Sequence, residues 1–256
     1  LLVTFTILLS AAFLAGFVDA ISGGGGLIQT PVSLVVLQQQ HFTNVIGTIK
    51  IPAFSGSLFA VKQYLKKITV HLKLKIVLCL IAFISSYIGS WALTKVNSSF
   101  FKPLLLFILI IVAIYVFLKK DFGNSTSRNI LPQKIWLYTI LISIVLGFYD
   151  GFIGPGAGLF LILAFISLAG FDFIKASAYA KLINLSTNFG SIILFFSKGL
   201  ILWKYAIPMA VSNALGGYIG AKIAIKKGNV FFRIIFMLVV LFTIIRFAYD
   251  IFYLNP

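Results

Sequence analysis

Acidic side chains are scarce in this sequence: five Asp and Glu residues face 21 Lys and Arg. Charge of either sign amounts to 10% of the chain, against 61% hydrophobic residues and a mean hydropathy of +1.09. So little polar surface cannot coat a water-soluble globule, which excludes a soluble domain and points to a membrane protein. A single cysteine, Cys79, lies in an apolar run, so no internal disulfide can form and the residue reads as packing. The two histidines, His41 and His71, belong to no ligand spacing, and no phosphate-binding Walker loop occurs, so neither a metal nor a cofactor is expected. The basic excess lies between apolar spans and not on a polar surface with aromatic partners. It reads as loop charge that orients the chain and touches membrane lipid, with no nucleic-acid partner.

What the chain has in abundance is apolar length. Runs near 2–18, 43–61, 76–94, 103–118, 135–149, 176–196, 203–221 and 231–252 are mostly long enough to cross about 30 Å of hydrocarbon as helices. Two shorter runs, 27–37 and 159–170, suit half-helices or strongly tilted spans. The fold expected is an all-α polytopic membrane protein with roughly 8–10 membrane segments and Gly-broken helices. The first run lacks a basic leader and is followed by many others, so it reads as a transmembrane helix and not as a cleaved signal.

Adding 131 to a residue number exposes an internal repeat without a gap. Asp19 falls on Asp150, Gly16 and Phe17 on Gly147 and Phe148, Gly23 and Gly25 on Gly154 and Gly156, and Lys50 on Lys181. YIG at Tyr87–Gly89 falls on Tyr218–Gly220, and FFK at Phe100–Lys102 on FFR at Phe231–Arg233. The chain thus divides into a first transmembrane repeat at 1–118, a basic, turn-rich cytoplasmic linker at 119–134 and a second repeat at 135–256. In the first half lysines crowd the loop after the second long run: Lys62, Lys66, Lys67, Lys73 and Lys75. In the second half the basic residues crowd the following loop instead: Lys222, Lys226, Lys227 and Arg233. If basic loops face the cytoplasm, equivalent loops face opposite sides, so the repeats are inverted and each holds five segments. A parallel arrangement with four crossings per half is the alternative.

Each repeat carries one glycine-rich interruption with a carboxylate, GFVDAISGGGG at Gly16–Gly26 and GFYDGFIGPGAG at Gly147–Gly158. Glycines let the backbone leave helical geometry, and the next helix then starts inside the protein with unpaired N–H groups that attract anions. Inverted repeats with interrupted helices describe many secondary transporters, whose sites lie at the breaks. The candidate substrate-binding residues are therefore Gly23, Gly24, Gly25, Gly26, Gly154, Gly156 and Gly158, with Lys50 and Lys181 as cations in the long helix that follows each break. A charge inside a span costs at least about 2.5 kcal/mol to insert and calls for a functional reading. Asp19 and Asp150 are the candidate proton-coupling carboxylates. The structural alternative pairs each Asp with the Lys 31 residues later in its own repeat, as a buried ion pair, and gives the glycines to close helix packing.

The second lysine-bearing helix places Ser177, Lys181, Asn184, Asn188 and Ser191 at steps of four, three, four and three, on one face. Asn184 and Asn188 thereby join the candidates, as amides arranged around the head group of a small anionic substrate. Hydrogen bonding that holds neighbouring helices together is the competing role.

At these residues the sequence resembles the TauE/SafE family of anion transporters and sulfite exporters. The pieces GFVDAISGGGGLI, IGTIK, GFYDGFIGPGAG, KASAYAKLINLSTN and YIGAKIA carry the likeness, which spans nearly the whole chain. It looks most like the branch with an aspartate before each glycine cluster. The resemblance implies a secondary transporter in the inner membrane of a bacterium, exporting or exchanging a small organosulfur or inorganic sulfur oxyanion such as sulfite or a sulfonate. Ala157, between glycines, and Ile49, where relatives often have a polar residue, depart from the pattern. Two intramembrane aspartates also raise a membrane aspartyl protease, but the GxGD and PAL pieces that such enzymes carry are missing, so no enzyme is expected. A passive anion channel, or a structural membrane protein with a buried Asp/Lys core, is the remaining alternative.

Overall fold

The computed structural model describes residues 2–68, 72–96 and 131–227, with the single positions 107, 110, 241 and 245. The expected spans 103–118 and 231–252 and most of the linker 119–134 lie outside the described residues. In the first repeat the helices are α1 (Leu2–Ser22), α2 (Gly25–Val36), α3 (Phe42–Tyr64) and α4 (Leu72–Leu93). In the second they are α5 (Pro132–Phe152), α6 (Ala157–Ser167), α7 (Phe173–Ser197) and α8 (Trp203–Lys227). No strand occurs among the described residues. The chain is an all-α polytopic membrane protein.

Local chemistry sets these elements. α1, α3, α4 and Gln133–Phe152 of α5 are each long and apolar enough to cross a membrane. α7 has the length, 25 residues or about 37 Å, but is less apolar because Ser177, Lys181, Asn184, Asn188 and Ser191 are turned inward and buried. Pro132 opens α5 in the first turn, where its missing N–H costs no helical bond. Asp172 caps α7 by accepting from the Lys175 amide at 2.9 Å. The outer surface is apolar in stripes: Ile76, Leu80, Ile84 and Ile88 on α4, Leu137, Leu141 and Val145 on α5, and Ile207, Val211, Leu215 and Ile219 on α8 are all exposed. Continuous apolar faces at helical spacing meet lipid tails in a polytopic chain.

Buried side chains form two hydrophobic clusters, and the long helices run from one to the other. α1 passes from Leu8 and Ala12 in the first cluster to Ala20 and Ile21 in the second. Its counterpart α5 runs the other way, from Ile142 in the second to Ile153, just past its end, in the first. α3 goes from Val45 to Tyr64, first cluster to second, whereas α7 goes from Ala176 to Phe195, second to first. α4 goes from Leu74 in the second to Leu93 in the first, and α8 from Ala206 in the first to Ala221 in the second. Each long helix is thus antiparallel to its counterpart 131 residues away.

The short apolar segments are half-helices that turn back. A Cβ on Gly25 would collide with Ala15 and Asp19 of α1, and Leu27 and Leu37 return to the first cluster beside Leu8 and Ala12. In the second repeat Phe160, Leu163 and Leu168 share a cleft with Leu146, Ile142 and Tyr138, so α6 likewise runs back along α5. Two helical hairpins result, α1–α2 and α5–α6.

The repeats interlock: α1 packs chiefly on α8, and α4 on α5. The repeated YIG has its reason here. A Cβ on Gly89 would collide with the Phe148 carbonyl, and one on Gly220 with the Phe17 carbonyl, so glycine lets each cross-repeat pair approach backbone to backbone. Among the described residues, Lys62, Lys66, Lys67, Lys73, Lys75, Lys134, Lys175, Lys222 and Lys226 lie toward the bundle end where α3 and α8 finish, while Lys95, Lys198 and Lys204 lie toward the other.

Candidate functional site

The two hairpins meet tip to tip. The Gly23 amide donates to the Asp19 carbonyl at 2.8 Å, and Gly23, at φ +75°, turns the chain through a conformation that side chains rarely adopt. α2 then starts at Gly25 with no side-chain cap. In the second hairpin Gly154 and Gly156 stand at φ +89° and +82° on either side of Pro155, and α6 starts, again without a side-chain cap, at Ala157. Tyr149 pins this loop by donating its hydroxyl to the Pro155 carbonyl at 2.7 Å. The tips are joined by backbone, the Leu159 amide donating to the Gly23 carbonyl at 3.1 Å. A Cβ on Gly23 would overlap the Gly158 backbone, so no larger residue fits between them.

Beside the tips lies a cavity of about 60 Å³. A water needs roughly 10–15 Å³ of such space, so the cavity holds a few waters or one small anion. Of the residues singled out in the sequence, Asp19, Gly23, Gly25, Gly26, Lys50, Asp150, Gly154, Gly156, Gly158, Asn184 and Asn188 line it. Gly24 and Lys181 do not. Lys181 is wholly buried behind Asp19, and Lys50 is the cation that borders the cavity.

The charges pair across the repeats. Lys50 donates to the Asp150 carboxylate at 3.0 Å and to the Asp150 carbonyl at 2.6 Å, while Lys181 donates to Asp19 at 2.6 Å. Pairing within each repeat, the alternative considered for the sequence, is thereby corrected. Its physical reason is the interlocking of the hairpins: each tip carries its aspartate to the lysine-bearing helix of the other half. The two pairs are not equivalent. Asp150 is nearly sealed, its side chain 7% exposed, and its second oxygen accepts from the Thr187 hydroxyl. The Asp19 side chain is 20% exposed and faces the cavity.

Four polar residues that line or support the cavity escaped the sequence reading: Gln29, Thr30, Thr187 and Asn213. Thr187, three residues after Asn184, lay on the recognised polar face. Gln29 and Thr30 form a polar step in the apolar α2, which was the available signal. Comparing the repeats conceals Gln29 and Asn213, because their counterparts are the apolar Phe160 and Ala82. On the recognised face itself, Ser191 shares a hydrogen bond with Ser90 of α4 at 2.8 Å, so that residue ties helices together.

Residues 8–247 match the family described as Sulfite exporter TauE/SafE. Among curated relatives, a probable membrane transporter protein of Haemophilus influenzae is 34% identical over 95% of this chain and 94% of its own length. One from Sinorhizobium, ORF9, is 33% identical over 94% of this chain and 90% of its own. The probable membrane transporter YfcA of Escherichia coli K12 is 30% identical over 95% and 89%. No solved structure matches the chain.

Proposed function

This chain belongs to the sulfite exporter TauE/SafE family, and from that premise we propose that it is a secondary transporter that exports or exchanges a small sulfur oxyanion, such as sulfite or a sulfonate. It is a multi-pass membrane transporter and not an enzyme. One observation carries the choice of an anion: two helix starts without side-chain caps, α2 and α6, converge with the Lys50 ammonium on one cavity. Each start turns the positive end of its helix dipole toward the cavity, although the Leu27, Ala157 and Leu159 amides are themselves donated to the Gly24, Gly154 and Gly23 carbonyls, and together with the ammonium these dipoles replace hydration that an oxyanion sheds. Gly25, Gly26 and Gly158 line the cavity with bare backbone, and a Cβ on any of them would press on its neighbours: Ala15 and Asp19, Pro155, and Asn184 with Gly23, respectively. Lys50 is the cation offered to the substrate, and Lys181 holds Asp19 in place.

The ion pairs give the transporter a means of coupling. An anion that draws Lys50 away from Asp150 leaves that carboxylate with the Thr187 hydroxyl alone. Proton uptake by Asp150 then restores neutrality, and anion and proton move together. Asp19, which faces the cavity, is the second carboxylate able to carry a proton. The antiparallel run of counterpart helices supports alternating access from inverted repeats, with one hairpin tip gating each side. The lysine-rich end faces the cytoplasm, and the membrane is a bacterial inner membrane.

Counterflow in reconstituted vesicles tests this reading. Vesicles preloaded with unlabelled sulfite or methanesulfonate are expected to take up the labelled anion faster than empty ones. Equal uptake with and without preload is the mark of a channel and overturns exchange. Uptake no better than in protein-free vesicles, across a panel of sulfur oxyanions, overturns the substrate class.

A further inference from the structure

We propose that the Gln29 carboxamide is a specificity-determining donor of the oxyanion site and that Asn213 is the residue that aims it; the proposal rests on the anion-transport reading above. Gln29 is 3% exposed and lines the cavity beside the start of α2, yet its Nε2 has no hydrogen-bond partner in the protein. A buried N–H without an acceptor opposes folding unless an occupant supplies one. Its other end is engaged, since Gln29 Oε1 accepts from Asn213 Nδ2 at 3.0 Å.

The orientation of the amides follows from packing. Asn213 Oδ1 is seated on two glycines of neighbouring helices, Gly16 of α1 and Gly56 of α3, and a Cβ on either glycine would run into it. An oxygen on glycine Cα–H groups makes weak favourable contacts, whereas an NH₂ there would face hydrogens. Oδ1 therefore stays on the glycines, Nδ2 points to Gln29, and Gln29 must accept with its oxygen and turn its NH₂ away from Asn213. Lys50 supplies charge, the helix starts supply the positive ends of their dipoles, and Gln29 supplies a neutral, directional donor that asks for an acceptor oxygen on the ligand. Because the counterparts are Phe160 and Ala82, this donor exists on one hairpin only, and the site is one-sided although the fold is two-fold in plan.

Apparent KM and maximal rate of sulfite exchange are measured for the full chain in vesicles, alongside thermal stability without anion. Gln29→Met, which keeps the length and removes the donor, is expected to raise KM about threefold to tenfold, as loss of one neutral hydrogen bond would, with stability held. Asn213→Asp presents only acceptors, so Gln29 turns its NH₂ to the new carboxylate and its oxygen to the cavity. KM should rise although Gln29 is still present. In the Gln29→Met background Asn213→Asp should add only the smaller effect of its charge, whereas an equal rise in KM in both backgrounds would overturn the positioning role. An unchanged KM in Gln29→Met overturns the donor. If that variant fails to assemble, Gln29→Glu takes its place and must raise KM further, since it offers the anion an oxygen. Absence of exchange by the unmutated protein would overturn the transport reading itself, which separates the two failures.

Discussion

Nζ of Lys181 lies 2.6 Å from Oδ2 of Asp19, 162 residues earlier in the chain, with the ammonium enclosed and the carboxylate bordering the cavity. The pair therefore ties the tip of the first hairpin to the middle of α7. Removing one member leaves an uncompensated charge in a dry interior, at a cost of about 3–5 kcal/mol. Asp19→Asn alone should lower the unfolding temperature in detergent sharply, and Lys181→Gln added to it should recover much of the loss. The same recovery is expected for Lys50→Gln with Asp150→Asn. Lys50→Gln combined with Asp19→Asn should recover nothing, because those two residues do not pair; coupling between them would contradict the cross-repeat arrangement.

Two left-handed glycines give a graded comparison. Gly199, at φ +65°, has open space where a Cβ would be, so Gly199→Ala should cost about 1–2 kcal/mol for the backbone conformation alone. Gly23→Ala adds a collision with the Gly158 backbone and should prevent the hairpin tips from meeting. Thermal unfolding and size-exclusion profiles of the two variants should differ clearly. Equal behaviour would mean that the tips do not touch.

Orientation is testable at two equivalent loops. With Cys79 replaced by alanine, a cysteine at Lys198 should react with an impermeant maleimide added to intact cells, and one at Lys66 only after the cells are opened. Labelling of both from outside would remove the inverted arrangement and the cytoplasmic placement of the lysine-rich end.

Asp150→Asn separates coupling from binding. The amide still occupies the site beside Thr187 and Lys50 but carries no titrating proton. Accumulation driven by a pH gradient should disappear, while exchange at equal pH continues. Unchanged pH dependence in both Asp150→Asn and Asp19→Asn returns the carboxylates to a structural role.

Much of this architecture was legible in the chain because apolar length, glycine breaks and a constant offset are all one-dimensional signals. The described helices, the two interruptions and the charged and glycine part of the cavity lining follow from them. Pairing was not legible: an offset identifies Lys50 as the twin of Lys181 but says nothing about which aspartate lies next to either. That depends on how the hairpins interlock, a property of packing. The bias toward symmetry also hid Gln29 and Asn213, whose value lies in having no polar twin. Lys181 drew attention through its polar helix face, yet burial behind Asp19 gives the cavity to Lys50.

The crossed ion pairs bear on how the protein is made. A ribosome delivers Asp19 and Lys50 to the membrane long before Asp150 and Lys181 exist, and neither early charge can neutralise the other in the finished arrangement. The nascent first half is thus an incomplete product, holding two unsatisfied charges that the second half must later match. A gene encoding the first half alone should yield a polypeptide that quality-control proteases remove, and co-expression of the second half should rescue it.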